Sequence, residues 1–424
     1  MDYIKRFDIE LDKDVYYAGE KLKGNILVEN IENIKIKGIR VNLRGKAHVE
    51  WKIMRSGERR TVKEDQLYLD EKLIVWGKGK DEEGPTPILP RGVHRFPMEF
   101  QLPESSLPCS FESKNGTIRY YLRVIIDIPY ASPPQGIKYF TIIGPHIDCM
   151  DERYLTSISA EDQRNTYCFC CSQGPISLMA NLDRSAYCCG EQMKLRCEVQ
   201  NGSDENTWVI VRLLQYVEYF INKGVLGLSK ELHHKVWEFK GPTVPPHHTE
   251  KLDDLYKQLQ VPVMPTTIVD VCKVIQIYYV LRVSLGAEKS GEDLQIDFPL
   301  TIATVPFRIP NTQPPEVIFD TAVGSVEGGL YTSPEFQLGQ VYDGTCGTEA
   351  GEDTILYRPV YVCVPHEKMT VTNSNNAATT NNDTDQDASP SPSAAGAGIT
   401  AKETSEIVVA EKEIEVMEER TTTV

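Results

Sequence analysis

One segment of this chain occurs twice. Residues 11–30 read LDKDVYYAGEKLKGNILVEN, and residues 182–201 read LDRSAYCCGEQMKLRCEVQN. Aligned without gaps they share eight of twenty positions: a Leu, an Asp, a Tyr, a Gly, a Glu, a Lys, a Val and an Asn, with Lys13 opposite Arg184. A second echo follows in the same order, YYLRV at 120–124 and YYVLRV at 278–283. Each half then reaches a similar closing run, FTIIGP at 140–145 and PLTIATVP at 299–306. Landmarks repeated in order and at similar separation imply that one unit was duplicated.

The unit is built of strands. In 34–51 the apolar residues are Ile34 and Ile36, then Ile39, Val41, Leu43, Ala47, Val49 and Trp51. That is period two with one phase shift at Gly38, which predicts a turn or bulge there. Tyr120, Leu122, Val124, Ile126 and Ile128 alternate in the same way, as do Leu195, Cys197 and Val199, and Ile275, Ile277, Tyr279, Leu281 and Val283. Pro and Gly separate these runs at short intervals, and no long helical pattern competes. Many half-buried strands with frequent turns predict sandwiches. Gly19 and Gly190 each follow a tyrosine by three, where a turn that disfavours a side chain is expected.

The length, 424 residues, suggests two or three domains. No run of eighteen apolar residues exists, so no membrane-spanning helix is expected. The first residues are charged and residue 2 is Asp, so neither a secretory leader nor N-myristoylation is expected. Eleven cysteines then read as reduced thiols. The net charge of -16 is uneven. Residues 1–148 hold 22 acids against 24 bases, 149–309 hold 20 against 16, and 310–424 hold 19 against 5. With no strongly basic segment, a nucleic-acid partner is not expected. Residues 372–400 have almost no large apolar side chain and are expected to be disordered. Residues 310–371 read as a Pro/Gly-rich extended linker, and 406–419 as a weak helix.

The series VYYAGEKLKGNILVE, IRVNLRGKAHVEW, LPRGVHRFPMEFQLP, SLPCSFESKNGTIRYYLRVIID and KYFTIIGP resembles the N-domain pattern of the arrestins, closest to the α-arrestins. GPISLMANLDRSAYCCGE and FPLTIATVPF resemble the C-domain, and PPEVIF and YTSPEFQLG resemble the family's proximal tail. The resemblance implies an all-β fold: two tandem immunoglobulin-like β-sandwiches of the arrestin fold with a disordered C-terminal tail. The expected boundaries are 1–147 for the N-terminal sandwich, 148–172 for a linker, 173–309 for the C-terminal sandwich and 310–424 for the tail. It also implies a cytosolic adaptor without catalytic machinery or cofactor, recruited to plasma membrane or endosomes. Such an adaptor binds transmembrane cargo or receptors and brings ubiquitin ligases or trafficking proteins to them. Family members often carry PPxY for WW domains. Here PPQG (133–136), PPHH (245–248) and PPEV (314–317) occur, but no PPxY. Other readings are an arrestin-fold subunit of a coat- or retromer-type complex and a thioredoxin-binding redox regulator. The stretch KVWEFKGPTVPPHH lacks the cysteine that the redox variant of the family carries there.

Arg40, Arg44 and Lys46 share one parity, opposite Ile39, Val41 and Leu43, and are candidates for contact with a phosphate or lipid headgroup. The same residues fit a solvated outer face. Cys168, Cys170 and Cys171 lie at the domain junction, where S-acylation or plain structural thiols both fit. CFCC and CC lack paired zinc spacing, so no metal is expected; Cys197 and Cys272 read as packed. His233-His234 and His247-His248 read as loop residues. No G-x-S-x-G, H-E-x-x-H or P-loop is present, and no catalytic residue is proposed. Thr422 and Val424 fit a PDZ ligand, whose chain adds to a sheet edge. YRPV at 357–360 fits a loose tyrosine sorting pattern.

Overall fold

The computed structural model describes residues 3–365, except 80–81, 106, 169–170, 223, 225–226, 254, 290, 325, 330 and 337–356. Thr422, Val424, Cys170 and the expected helix at 406–419 lie outside the described residues.

Alternation becomes burial along the strands. In Gly116–Asp127 every second residue is buried, and Ile118, Tyr120, Leu122, Val124 and Ile126 form one inward row. Gly38–Arg55, Leu195–Asn201 and Ile275–Ala287 behave alike. Each such strand needs a second sheet to cover its apolar face. In the first sandwich, Ile4–Leu11, Lys21–Asn30 and Gly92–Gln101 form one sheet. The facing sheet runs Val15–Tyr17, Gln135–Ile143, Gly116–Asp127, Gly38–Arg55 and Glu58–Gly77. The second sandwich repeats this plan. Ile158–Cys168, Cys171–Leu182, Leu195–Asn201 and His248–Leu252 face Ala186–Tyr187, Gly291–Ile302, Ile275–Ala287, Thr207–Ile221 and Leu228–Val244.

The duplication reaches single hydrogen bonds. Val15–Tyr17 lies parallel to Thr141–Ile143, and Ala186–Tyr187 lies parallel to Thr301–Ile302. Thr141 N–H donates to Asp14 O at 2.9 Å, and Thr301 N–H donates to Ser185 O at 2.8 Å. Asp12 N–H reaches Lys23 O at 3.1 Å, and Asp183 N–H reaches Lys194 O at 3.2 Å. The Glu20 carboxylate accepts from Tyr17 N–H at 2.9 Å, and Glu191 accepts from Cys188 N–H at 2.8 Å. Tyr120 Oη donates to Pro108 O at 2.9 Å, and Tyr279 Oη donates to Pro265 O at 2.6 Å. Gly19 and Gly190 take φ of 81° and 87°, in the left-handed region expected of them.

Three expectations need correction. Residues 148–172 are not a simple linker: Ile158–Cys168 is a strand that pairs antiparallel with Cys171–Leu182. From Ile158 to Asn165 its side chains are mostly polar and exposed, so its alternation is faint. His233 and His234 are not in a loop but inside Leu228–Val244, opposite Tyr216 and Gln215. Parts of 310–371 are packed rather than extended linker. Ile318–Thr321 pairs antiparallel with Val360–Cys363, and Phe336 and Tyr361 are fully buried.

At the two repeat glycines the surroundings differ. A Cβ on Gly19 would meet only Glu104, at ordinary contact distances of 3.5 and 3.9 Å, whereas a Cβ on Gly190 would sit 2.0 Å from the Val364 carbonyl oxygen. Gly19→Ala should cost about 1 kcal/mol from backbone conformation alone. Gly190→Ala should cost clearly more, because the tail backbone must also move. Urea unfolding of the two variants checks the order; equal losses would contradict the tail's seat against Gly190.

Candidate binding surfaces

The even-numbered side chains of Gly38–Arg55 point away from the core, so Arg40, Arg44 and Lys46 do share one face. Each is held by a carboxylate. Arg40 Nη2 is 2.8 Å from Asp127, Arg44 Nε is 3.3 Å from Asp70, and Lys46 Nζ is 3.3 Å from Asp65. His48 Nδ1 lies 2.5 Å from the same Asp65. Burial works to raise the Asp65 carboxyl, but the donors on His48 and Lys46 outweigh it and hold it below its ordinary value. A bulge sets this pairing: Gly45 lies opposite Leu69 and Lys46 opposite Leu67, so Tyr68 is the extra residue. An incoming phosphate would have to displace three resident acids.

The two sandwiches meet through polar groups, exposed at the rim and buried toward the centre. Tyr68 Oη donates to Val271 O at 3.3 Å, and Lys273 N–H donates to Gln66 Oε1 at 2.7 Å. Ser113 Oγ of the first sandwich lies 2.8 Å from Tyr219 Oη of the second. Tyr219 Oη also donates to Glu327 Oε1 at 2.8 Å, and His234 Nε2 lies 3.2 Å from Glu327 Oε2. Gln215 brackets the same residue, donating to Glu327 O at 3.1 Å and accepting from Glu327 N–H at 2.7 Å. Burial would raise the Glu327 carboxyl, yet the bonds from His234 and Tyr219 hold it below its ordinary value.

The proximal tail crosses both sandwiches. Tyr361 Oη donates to Ser110 O at 3.1 Å in the first, and Val364 N–H donates to Cys189 O at 2.9 Å in the second. Phe336 packs on Tyr139 and Tyr357 with ring centroids 4.8 and 5.2 Å apart. The Arg119 guanidinium lies 4.7 Å over the Phe336 ring, pairs with buried Glu112 at 2.5 Å and also pairs with Glu335. Tyr357, the tyrosine of the sorting-type run, stacks on Tyr139 and donates to Phe140 O at 3.3 Å. That run is therefore folded onto the body. Val360, Tyr361 and Val362, after Pro359, are the one strand signal that could have pointed to this clasp, and the run is too short to stand out in the sequence. The Arg119 network has no such signal, since its members are 7 and 216 positions apart.

Cys197 and Cys272 are buried as expected, though Cys272 precedes the strand, which begins at Ile275. Cys168 and Cys171 close a hairpin by backbone pairing. Burial pushes the Cys109 thiol up to about 11, and Cys189 and Cys197 up to about 12. These groups stay protonated, which disfavours nucleophilic or redox chemistry. Cys149, Cys188 and Glu191 bring donor atoms within 4.8 Å of one another. Glu191 is already engaged, however, accepting from Cys188 N–H, from Phe307 N–H at 3.1 Å and from Arg184 at 3.3 Å. Its repeat counterpart Glu20 caps the same turn with no cysteine beside it, so the carboxylate is explained by the turn. No helix among the described residues is long and apolar enough to cross a membrane.

Residues 6–148 match the family model described as arrestin (or S-antigen), N-terminal domain, and residues 172–307 match the corresponding C-terminal domain. Arrestin domain-containing protein 4 of Homo sapiens is 28% identical over 305 residues, 70% of each chain. Arrestin domain-containing protein 17 of Caenorhabditis elegans is 26% identical over 319 residues, 72% of each. Thioredoxin-interacting protein of Sus scrofa is 23% identical over 303 residues, 71% of this chain and 75% of that one.

Glu327→Gln keeps the shape and removes the charge, and should destabilise by about 1–2 kcal/mol near neutral pH. A carboxyl held low in the folded state contributes stability above its unfolded value, near 4.5, and loses it as pH falls through the folded value. The gap between parent and variant should therefore shrink as pH falls below about 4.5. Denaturant titrations across that range measure it; a gap that stays flat throughout would rule out the charged clasp.

Proposed function

The chain belongs to the arrestin family, and on that premise we propose that it is a non-catalytic adaptor which binds transmembrane cargo and links it to trafficking or ubiquitin-ligation proteins. The observation that carries this reading is the presence of both arrestin domains, in order, as one clasped body. Two of the relatives it matches over most of their length are themselves named arrestin domain-containing proteins. A body of this kind offers broad sheet faces and loops for protein contact. The reading places the protein in the cytoplasm, with recruitment to plasma membrane or endosomes.

The ligase connection needs a route other than direct WW binding, because that interaction requires the PPxY that this sequence lacks. The C-terminal Thr422 and Val424 offer one route, through a PDZ protein that reads the terminal carboxylate in a backbone nest. The redox reading is weaker, since Cys109, Cys149, Cys188, Cys189, Cys197, Cys272 and Cys363 are buried and burial raises the thiols of Cys109, Cys189, Cys197 and Cys363.

Proximity labelling in cells should compare the full chain with one ending at Pro365, which keeps the clasp. Both should label transmembrane proteins, and only the full chain should label ligases or PDZ proteins. An absence of transmembrane proteins in both would reject the adaptor reading. Equal ligase labelling by both would move that contact onto the arrestin domains. Ending the chain at Pro310 is a poor control, because it strips Phe336 and Tyr361 from the core.

A further inference from the structure

The hairpin Gly38–Arg55 and Glu58–Gly77 extends beyond the packed region. Alternation of buried residues ends near Trp51, and from Lys52 to Thr61 only Ile53 is less than exposed. Ser56 and Gly57 both take positive φ, 54° and 81°, which makes a tight two-residue turn with the twist that strands prefer. The register then sorts the side chains. Lys52 faces Thr61, Met54 faces Arg59, and Glu50 faces Lys63, so one face of the tip carries Lys52, Arg59 and Lys63 around Met54, with Thr61 among them and Glu50 at its inner end beside His48. Met54 is 66% exposed.

Charge compensation differs along the same hairpin. Near the sandwich, Arg40, Arg44 and Lys46 each have a carboxylate within 3.3 Å. At the tip, Lys52, Arg55, Arg59 and Lys63 have no ion-pair partner among the described residues, and Arg60 pairs with Glu58 at 3.1 Å. Uncompensated positive charge is thus concentrated at the tip, with one exposed apolar side chain in its midst.

We propose that this tip docks on an anionic lipid bilayer. Lys52, Arg59 and Lys63 would lie among the headgroup phosphates and carboxylates, and Met54 would enter the headgroup–acyl boundary. The charges favour a polyanionic surface, and the apolar residue between them favours a bilayer over an acidic peptide. Each surface cation is worth on the order of fivefold in partitioning at moderate salt. The contact is therefore weak and reversible, and screened by salt. The inference is independent of which cargo the protein carries.

The test is cosedimentation of the purified full chain with phosphatidylcholine vesicles, with or without phosphatidylserine. Binding is expected only with phosphatidylserine, falling as salt rises. The variant Lys52→Gln/Arg59→Gln/Lys63→Gln should lose about 100-fold in partitioning. Met54→Ser should lose a few-fold with the same salt dependence, and Arg44→Gln little. All these positions are exposed or half-exposed, and thermal unfolding of each variant confirms that it is folded. The proposal fails if the parent does not bind phosphatidylserine vesicles, or if the triple variant binds as well as the parent. It also fails if poly-glutamate binds through the same three residues as tightly as the vesicles do, since the tip would then be a general acidic-peptide site.

Discussion

A single carboxylate turn closes each sandwich. Glu20 and Glu191 each reach back three residues to the N–H that ends the short parallel strand, and so hold that strand against the last long strand of its sheet. The short strand carries Tyr16 or Tyr187, both fully buried between the sheets. The turn thus sets the strand that carries the tyrosine against the edge of its sheet. In the second sandwich the same carboxylate also takes Phe307 N–H and Arg184, which ties the chain's exit from the domain to that closure. The tail strand is then seated on the backbone at Cys189 and Gly190. Closure, exit and clasp therefore depend on one geometry.

The join between sandwiches follows a different logic from their interiors. The interiors are apolar and tolerate no gap, whereas the join is a chain of buried polar groups from Ser113 through Tyr219 to Glu327, with Arg119 and Glu112 nearby. Such groups add little net stability, but leaving any one unpaired is costly. They act by selecting one docking arrangement, because only one orientation satisfies every member. Glu327 and Glu335 come from the tail, so that selection requires the tail to be in place.

Much of the architecture was legible in the sequence because burial imposes period two on interior strands. Tyr120 to Ile126 and Ile275 to Val283 show it directly, and the duplicated segment fixed the equivalence of Gly19 with Gly190. Ile158–Cys168 was hidden because an edge strand has little apolar face to display. Val360–Cys363 was hidden because it is four residues long and its partner lies some forty residues earlier. The basic stripe was visible, but not its division into paired and unpaired halves. That division depends on the bulge at Tyr68, which places Asp70 beside Arg44 and Asp65 beside His48. A one-residue shift in register is a tertiary outcome that charge counting does not reach.

Both sandwiches leave one long strand at a sheet edge, Glu58–Gly77 and Leu228–Val244. Rows of free backbone groups on such edges are templates for another chain. Here each edge is interrupted by charge: Arg59, Arg60, Lys63, Asp65, Asp70 and Lys72 on one, Lys230, Glu231, Lys235, Glu238 and Lys240 on the other, with Pro242 near its end. A second copy laid alongside in an antiparallel self-pairing would bring like charges together at many of these positions. The same side chains that make the surface polar thus work against pairing of one copy's sheet edge with another's, even where many copies are crowded on one small area.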